Sequence, residues 1–413
     1  MSLLRAAAAG LVVGILAVVT GPASVASAHG EQTQEAFLRA STVLLYDVKF
    51  SDTYVAVGEP VTITGKVRIM NAWPEHTIPA PHTGFLSIIA PGPVFSVQDR
   101  QLSGQFTPQS VRIHKGQTFP FSVTVVARDE GHWHVHPSFA VKGAGTLVGR
   151  GEWIDVGPGE FHNTAALASG DLASGDRVDL TDYGTPTVVI WHAIALLIGL
   201  GWLAFWLRRP VLARLSVVSD GHGRSLTSIV DVKVGLGFVA LVVVVLAGGY
   251  AYATSSAASA PLPLQVARIA PTVAAEPQPL VDSEVTRAQY RAAAESLVLT
   301  VKVRNTSDAP VTLSAMQVAE ETLVPRGQHA HGAVPALRIT DAAPGGSGSG
   351  GSVAAGEERT FTVTIDAKPL LARNLLPLQE PQVRITGLFF FSDSAGHQQV
   401  SEVDEVTSPI LPG

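Results

Sequence analysis

Two separated regions of the chain alternate apolar and polar side chains with the two-residue period of a half-buried strand. The first runs from Glu35 to about Val156 and contains "YVAVGEPVTITGKVRIMNAWPE" and "GQTFPFSVTVVARDEGHWHVHPSFAV". The second, residues 286–413, contains "SLVLTVKVRNTSDAPVTL" and "GEERTFTVTIDA". Val, Thr, Ile and Phe fill these runs and Gly, Pro and Asn break them, which is the pattern of an all-β sandwich. Between the two regions the polar positions vanish twice. "TVVIWHAIALLIGLGWLAFWL", Thr187–Leu207, and "VGLGFVALVVVVLAGGYAYA", Val234–Ala253, each have the length a membrane-spanning helix needs, about 20 residues. Trp191, Trp202 and Trp206 lie toward the ends of the first and Tyr250 and Tyr252 close the second, as interfacial aromatics do. The expected fold class is therefore all-β soluble domains plus transmembrane α, with two β-sandwiches joined by a two-helix membrane hairpin.

The polar residues between these elements set boundaries and orientation. Arg208, Arg209, Arg214, Arg224 and Lys233 crowd the loop 208–233, which the positive-inside rule assigns to the cytoplasm. Both sandwiches are then expected outside it, in a protein of the cell membrane. The N-terminus agrees. Arg5, the apolar run Leu11–Val19, the break at Gly21–Pro22 and "ASA" at Ala26–Ala28 read as a signal peptide, 1–28, cleaved to leave His29 as the mature N-terminus. The expected order is a first domain over 29–180, helices at 187–207 and 234–253, an Ala/Pro-rich linker at 254–285 and a second domain over 286–413. The two domains echo each other. Gly116–Ala127 matches Gly356–Ala367 with Gly and Phe at identical spacing, and Lys66-Val67-Arg68 parallels Lys302-Val303-Arg304. "PGGSGSGG", Pro344–Gly351, reads as a flexible loop within the second domain.

Composition mainly excludes. Hydrophobic residues make up 46% and charged ones only 15%, a balance that suits a membrane protein. A net charge of −6 with no long basic run points away from nucleic acid. The chain has no cysteine, so disulfides, thiolate zinc sites, thiol catalysis and Cys-ligated blue-copper centres are excluded. No phosphate-binding glycine loop, H-E-x-x-H or G-x-S-x-G motif appears.

The chemistry that remains is histidine. In "GHWHVHPSF" His132, His134 and His136 occupy every second position. On a strand they share one face, with Trp133 and Val135 on the other, and successive histidines stand about 6–7 Å apart at Cα. One ion takes two of the three without strain. His29 is the candidate third ligand, because a free N-terminal histidine offers its α-amine and its ring together. Amine plus imidazoles is an all-nitrogen, tetragonal set that favours Cu(II); zinc in a tetrahedral imidazole site is the other reading. A second pair, His329 and His331 in "RGQHAHGAV", sits between Gly327 and Gly332 and reads as a loop with no third partner. His192 lies near the outer end of the first span, where a polar interfacial residue and a functional intramembrane one are the competing readings. His76, His82, His114, His162, His222 and His397 are isolated.

Several stretches resemble the B subunit of the copper membrane monooxygenases, the particulate methane, ammonia and short-chain hydrocarbon monooxygenases. They are "HGEQTQEAFLRASTVLLYDVKFS" after the signal peptide, "GKVRIMNAWPE", "GHWHVHPSF", "WIDV" and the late "LFFFS". The resemblance implies two cupredoxin-like domains around the helix pair and a copper site formed by His29, His134 and His136. His132 falls where members of the family often carry a basic residue, which leaves it out of the ligand set. An additional bis-histidine copper position of some members corresponds here to Leu44 and Arg68. The resemblance further implies two membrane-embedded partner subunits, usually in a trimer of heterotrimers, and hydroxylation of a C1–C4 alkane or ammonia with dioxygen and an external reductant. In the family, oxygen activation has been assigned both to this site and to a membrane site of a partner. Direct chemistry here, a copper-holding assembly role, and an exported copper carrier without an oxidase partner thus stand as the alternatives.

Overall fold

The structure is a computed structural model and describes residues 35–169, 172–181, 183–207, 217–222, 228–259, 270–328, 332–341, 351–376 and 383–410. The signal segment, His29, most of the arginine-rich loop, and His329 and His331 lie outside the described residues.

A short helix, α1 (Ala36–Ser41), leads into the first domain. Its strands are β1 (Val43–Phe50), β2 (Tyr54–Ala56), β3 (Pro60–Ile69), β4 (Thr83–Ile89), β5 (Phe95–Leu102), β6 (Gln105–Phe106), β7 (Val111–Arg112), β8 (Thr118–Ala127), β9 (Gly131–Val141), β10 (Gly145–Val148) and β11 (Glu152–Gly157). They form two sheets, β1-β3-β8-β5-β6 and β2-β11-β9-β4-β7, with β10 beside β9. Period-two patterning makes the sandwich. Val61, Ile63, Val67 and Ile69 of β3 and Phe119, Phe121, Val123 and Val125 of β8 meet Val135, Phe139 and Ile154 of the facing sheet in one core.

A separate unit, 161–266, holds a two-stranded ribbon, β12 (Thr164–Ser169) with β13 (Leu172–Asp179), and two helices. Helices α2 (Thr185–Leu207) and α3 (Ile229–Ser259) contain the two expected spans and are long and apolar enough to cross a membrane. They run antiparallel, since Trp202 meets Phe238 and Gly235 while Trp191 meets Gly249. α3 starts earlier than hydropathy alone indicates. Ser228 and Asp231 exchange side-chain-to-backbone hydrogen bonds of 3.2 and 2.9 Å, a reciprocal cap that satisfies N–H groups at its first turn.

Within the stretch read as linker, residues 270–280 lie along the first domain. Arg112 N–H donates to Pro271 O, Glu276 N–H donates to Thr118 O, and Val273 enters the core. The second domain then begins at β14 (Val281–Arg291). It continues through β15 (Ser296–Asn305), β16 (Val311–Val318), β17 (Glu321–Pro325), β18 (Ala333–Asp341), β19 (Ser352–Val353), β20 (Glu358–Asp366), helix α4 (Lys368–Ala372), β21 (Val383–Ser392) and β22 (Gln398–Ile410). Here the sheet closes on itself. β17 pairs with both β18 and β16, so the order β17-β18-β20-β15-β14-β22-β21-β16 returns to its start, with β19 attached to β16. Among the described residues the chain is thus mostly β, with two β domains and few helices.

The sequence echo has a structural counterpart. Lys66, Val67 and Arg68 pair with Pro120, Phe119 and Thr118; Lys302, Val303 and Arg304 pair with Thr360, Arg359 and Glu358. The offset between echoed segments is preserved in both pairs, and Gly116 and Gly356 turn the chain at nearly equal positive φ, 75° and 73°.

The two β domains share a small core of their own. Leu44, Tyr46, Met70 and Ala72 from the first pack with Leu388 and Phe390 from the second. Beside it the Arg68 guanidinium donates to Glu402 through Nε at 2.8 Å, and to Gly116 O and Thr118 Oγ1. Glu402 also accepts from the Asn71 backbone N–H. Both charged side chains are about nine-tenths buried, so deleting one strands the other in a dry site. Glu402→Ala is expected to cost about 3–5 kcal/mol, read as a lower thermal midpoint of the full chain. Glu358→Ala, which removes the partner of the exposed Lys302, is expected to cost under about 1 kcal/mol.

Candidate metal centre

β9 lies between β11 and β4, and its outward face carries His132, His134 and His136. The inward face carries Val135 and Phe139, both fully buried. The histidine face is not uniform. His132 is exposed, His134 is half-buried, and His136 is only 4% exposed.

What buries His136 is the turn between β10 and β11, Gly149-Arg150-Gly151. A Cβ on Gly151 would lie 2.6 Å from the His136 ring, closer than nonbonded carbon atoms approach. The imidazole therefore occupies the space that a side chain at 151 would need. The same turn fixes its tautomer. His136 Nδ1 lies 2.8 Å from the Gly149 carbonyl oxygen, which only accepts, so Nδ1 carries the proton and Nε2 keeps its lone pair.

That lone pair points at His134. His136 Nε2 and His134 Nδ1 are 3.1 Å apart, with the rings near perpendicular at 77°. With His136 Nε2 accepting, His134 Nδ1 is the donor of this contact. Two imidazole nitrogens bound to one ion at about 2.0–2.1 Å, at 90–110° to each other, stand about 2.9–3.4 Å apart. The spacing of the pair fits two ligands of one metal ion, once the proton on His134 Nδ1 has left.

His132 belongs to a different set of contacts. Its Nδ1 lies 2.5 Å from Asp155 Oδ1, and its ring stacks on Trp153 at 4.5 Å with 4° between planes. Trp153 also stacks on His134, at 4.7 Å and 24°. Among the described residues no group of three or more His, Cys, Asp or Glu side chains stands together as a metal site. The third expected ligand, His29, lies outside the described residues. Leu44 and Arg68 are cross-strand partners on β1 and β3. A hydrocarbon side chain and an ion-paired guanidinium provide no metal donor there. In α2, His192 donates Nδ1–H to Val188 O, one turn earlier at 2.7 Å, which suits a polar residue at a helix end.

The family of monooxygenase B-subunit proteins matches residues 30–412. The chain belongs to that family. It is 32% identical, over 97% of its length and 96% of the relative's, to the particulate methane monooxygenase alpha subunit of Methylococcus capsulatus. A crystal structure of the cupredoxin domain of AmoB from Nitrosocaldus yellowstonii matches 30% of the chain and 91% of that domain, at 17% identity and a TM-score of 0.24. The monooxygenase assignment rests on the first two. The protein is thus part of an oxidoreductase, and with its two apolar helices it is a membrane protein.

Gly149, Gly151, Trp153 and Asp155 were not assigned a role by the pattern of histidines. In β11 Trp153 and Asp155 pair with His134 and His132 and so share their face, and Gly149 and Gly151 lie in the turn just before that strand. Gly151→Ala is expected to displace the His136 ring from the Gly149 carbonyl and to cost about 1–3 kcal/mol through overpacking. A fall in thermal midpoint with an unchanged far-ultraviolet circular dichroism spectrum is the readout.

Proposed function

We propose that this chain is the copper-holding B subunit of a membrane monooxygenase that hydroxylates a small substrate, a C1–C4 alkane or ammonia, with dioxygen and an external reductant. The observation that carries the reading is the 3.1 Å approach of His136 Nε2 to His134 Nδ1 in a member of the monooxygenase B-subunit family. Copper is favoured over zinc by the α-amine of His29, because an amine with imidazoles makes the tetragonal all-nitrogen set that suits Cu(II). His29, His134 and His136 would hold the ion, with the α-amine and ring of His29 completing the set once the signal peptide is removed. Copper bound there would supply one-electron redox chemistry.

The chain's own residues have separable parts in this. His136, locked through Nδ1 to the Gly149 carbonyl, presents Nε2 in a fixed direction. His134 meets it from the more open side. Val135 and Phe139, buried on the opposite face, keep the strand in register and the histidines pointing outward. Both β domains lie on the extracytoplasmic side in this reading. Helices α2 and α3 cross the bilayer and present their apolar faces to lipid and to two membrane-embedded partner subunits, in a trimer of heterotrimers. The substrate reaches the assembled complex, and an assembly role for the copper is the second reading.

Two measurements test this. Replacing His134 and His136 with Ala should remove the bound copper and, in the assembled complex, abolish hydroxylation. Substantial turnover with this site empty of copper would sink direct chemistry here and leave the assembly role. Retaining one extra residue before His29 should weaken Cu(II) binding and change its spectrum. An unchanged affinity and spectrum would remove the α-amine from the ligand set.

A further inference from the structure

Trp153 is 52% exposed, although an aromatic side chain usually contributes through the large area it buries. Half of this one stays in water, so burial does not account for its placement. It sits directly across from His134 in the β9–β11 register. Its ring lies nearly parallel to the His134 imidazole at 4.7 Å and to the His132 imidazole at 4.5 Å. His132 is itself tied to Asp155, two residues along β11 from Trp153. A chain of contacts therefore runs from Asp155 through His132 and Trp153 to His134 and on to His136.

The two ring pairs are held differently. His136 is fixed from below by the Gly149 carbonyl and by the missing side chain at Gly151. His134 is half-buried, and the flat contact with Trp153 restricts the tilt of its ring. We infer that Trp153 is a positioning residue for the copper ligand His134: its indole sets the ring plane of His134 and shields one side of the ion from water. This rests on the copper reading given above. Outer contacts of this kind orient metal-bound histidines, and the apolar groups around a site shift its redox potential by excluding solvent.

The test uses the full chain in detergent, loaded with Cu(II), and compares the parent with Trp153→Leu and Trp153→Phe. Trp153→Leu is expected to change the Cu(II) paramagnetic resonance spectrum, to weaken copper binding about tenfold, and to lower the Cu(II)/Cu(I) potential as water enters. Trp153→Phe, which keeps a flat ring over His134, is expected to retain the parent spectrum. A parent-like thermal midpoint in both variants separates positioning from folding. If Trp153→Leu shows the parent spectrum, affinity and potential, the inference is overturned and the copper reading stands. If the parent's copper signal survives His134→Ala and His136→Ala, the copper reading fails, and this inference fails with it.

Discussion

An extended strand can give only every second side chain to one face, and most of this molecule follows from that limit. On β9 the limit separates Val135 and Phe139, which enter the core, from His132, His134 and His136, which leave it. On β1 it sends Val43 and Leu45 into the first domain's core, and Leu44 and Tyr46 into the core shared between domains. On β21 it sends Phe389 and Phe391 into the second domain's core, and Leu388 and Phe390 into the shared one. A slip of one residue on any of these strands would exchange the two sets at once. Register is therefore strongly determined where both faces of a strand are claimed, and the histidine pair inherits that determination.

The same period produces three unlike environments from three identical residues. Depth along β9 increases toward Phe139, so each histidine in turn meets a more enclosed surrounding. His132, at the open end, finds a carboxylate. His136, at the closed end, finds a backbone carbonyl and a glycine. His134 lies between them and touches both His136 and the indole of Trp153. A carbonyl that only accepts forces the proton onto His136 Nδ1 and leaves Nε2 for His134 or for a metal. Had the turn offered an N–H instead, the lone pair would have been used up on the protein. The direction of one buried hydrogen bond thus decides whether the pair can act as ligands.

The elements with strict periods were legible in the sequence, and the contacts between them were not. The sandwich strands and both apolar helices follow from alternation and from unbroken hydropathy. "LFFF" reads as one continuous apolar run, and only the fold shows that its two faces serve different cores. Closure of the second sheet depends on β14 pairing in parallel with β22 at the far end of the domain, a pairing that no local pattern encodes. Residues 270–280, in the Ala/Pro-rich stretch that lacks a strand period, are held by backbone hydrogen bonds to Arg112 and Thr118 and by Val273. At the site, the histidines were visible by type and spacing. The glycine cradle and Trp153 come from cross-strand register, which requires knowing that β11 pairs with β9. Arg68 and Glu402 are 334 residues apart, and only the packing of the two β domains joins them.

The repeated register in the two domains locates where their chemistry diverges. Up to Ala127 and Ala367 the paired strands and the turning glycines correspond. After Ala127 the chain enters the histidine strand. After Ala367 it enters α4, where Pro369 sits in the first turn, a position that tolerates a missing N–H. Leu370 from that helix is fully buried in the second domain's core. A helix at this point cannot place side chains at every second position on an outward sheet face. The scaffold common to both domains therefore does not by itself make the site. The difference lies in whether the residues after the shared strand remain extended, as Gly131–Val141 do, or coil inward to fill the core.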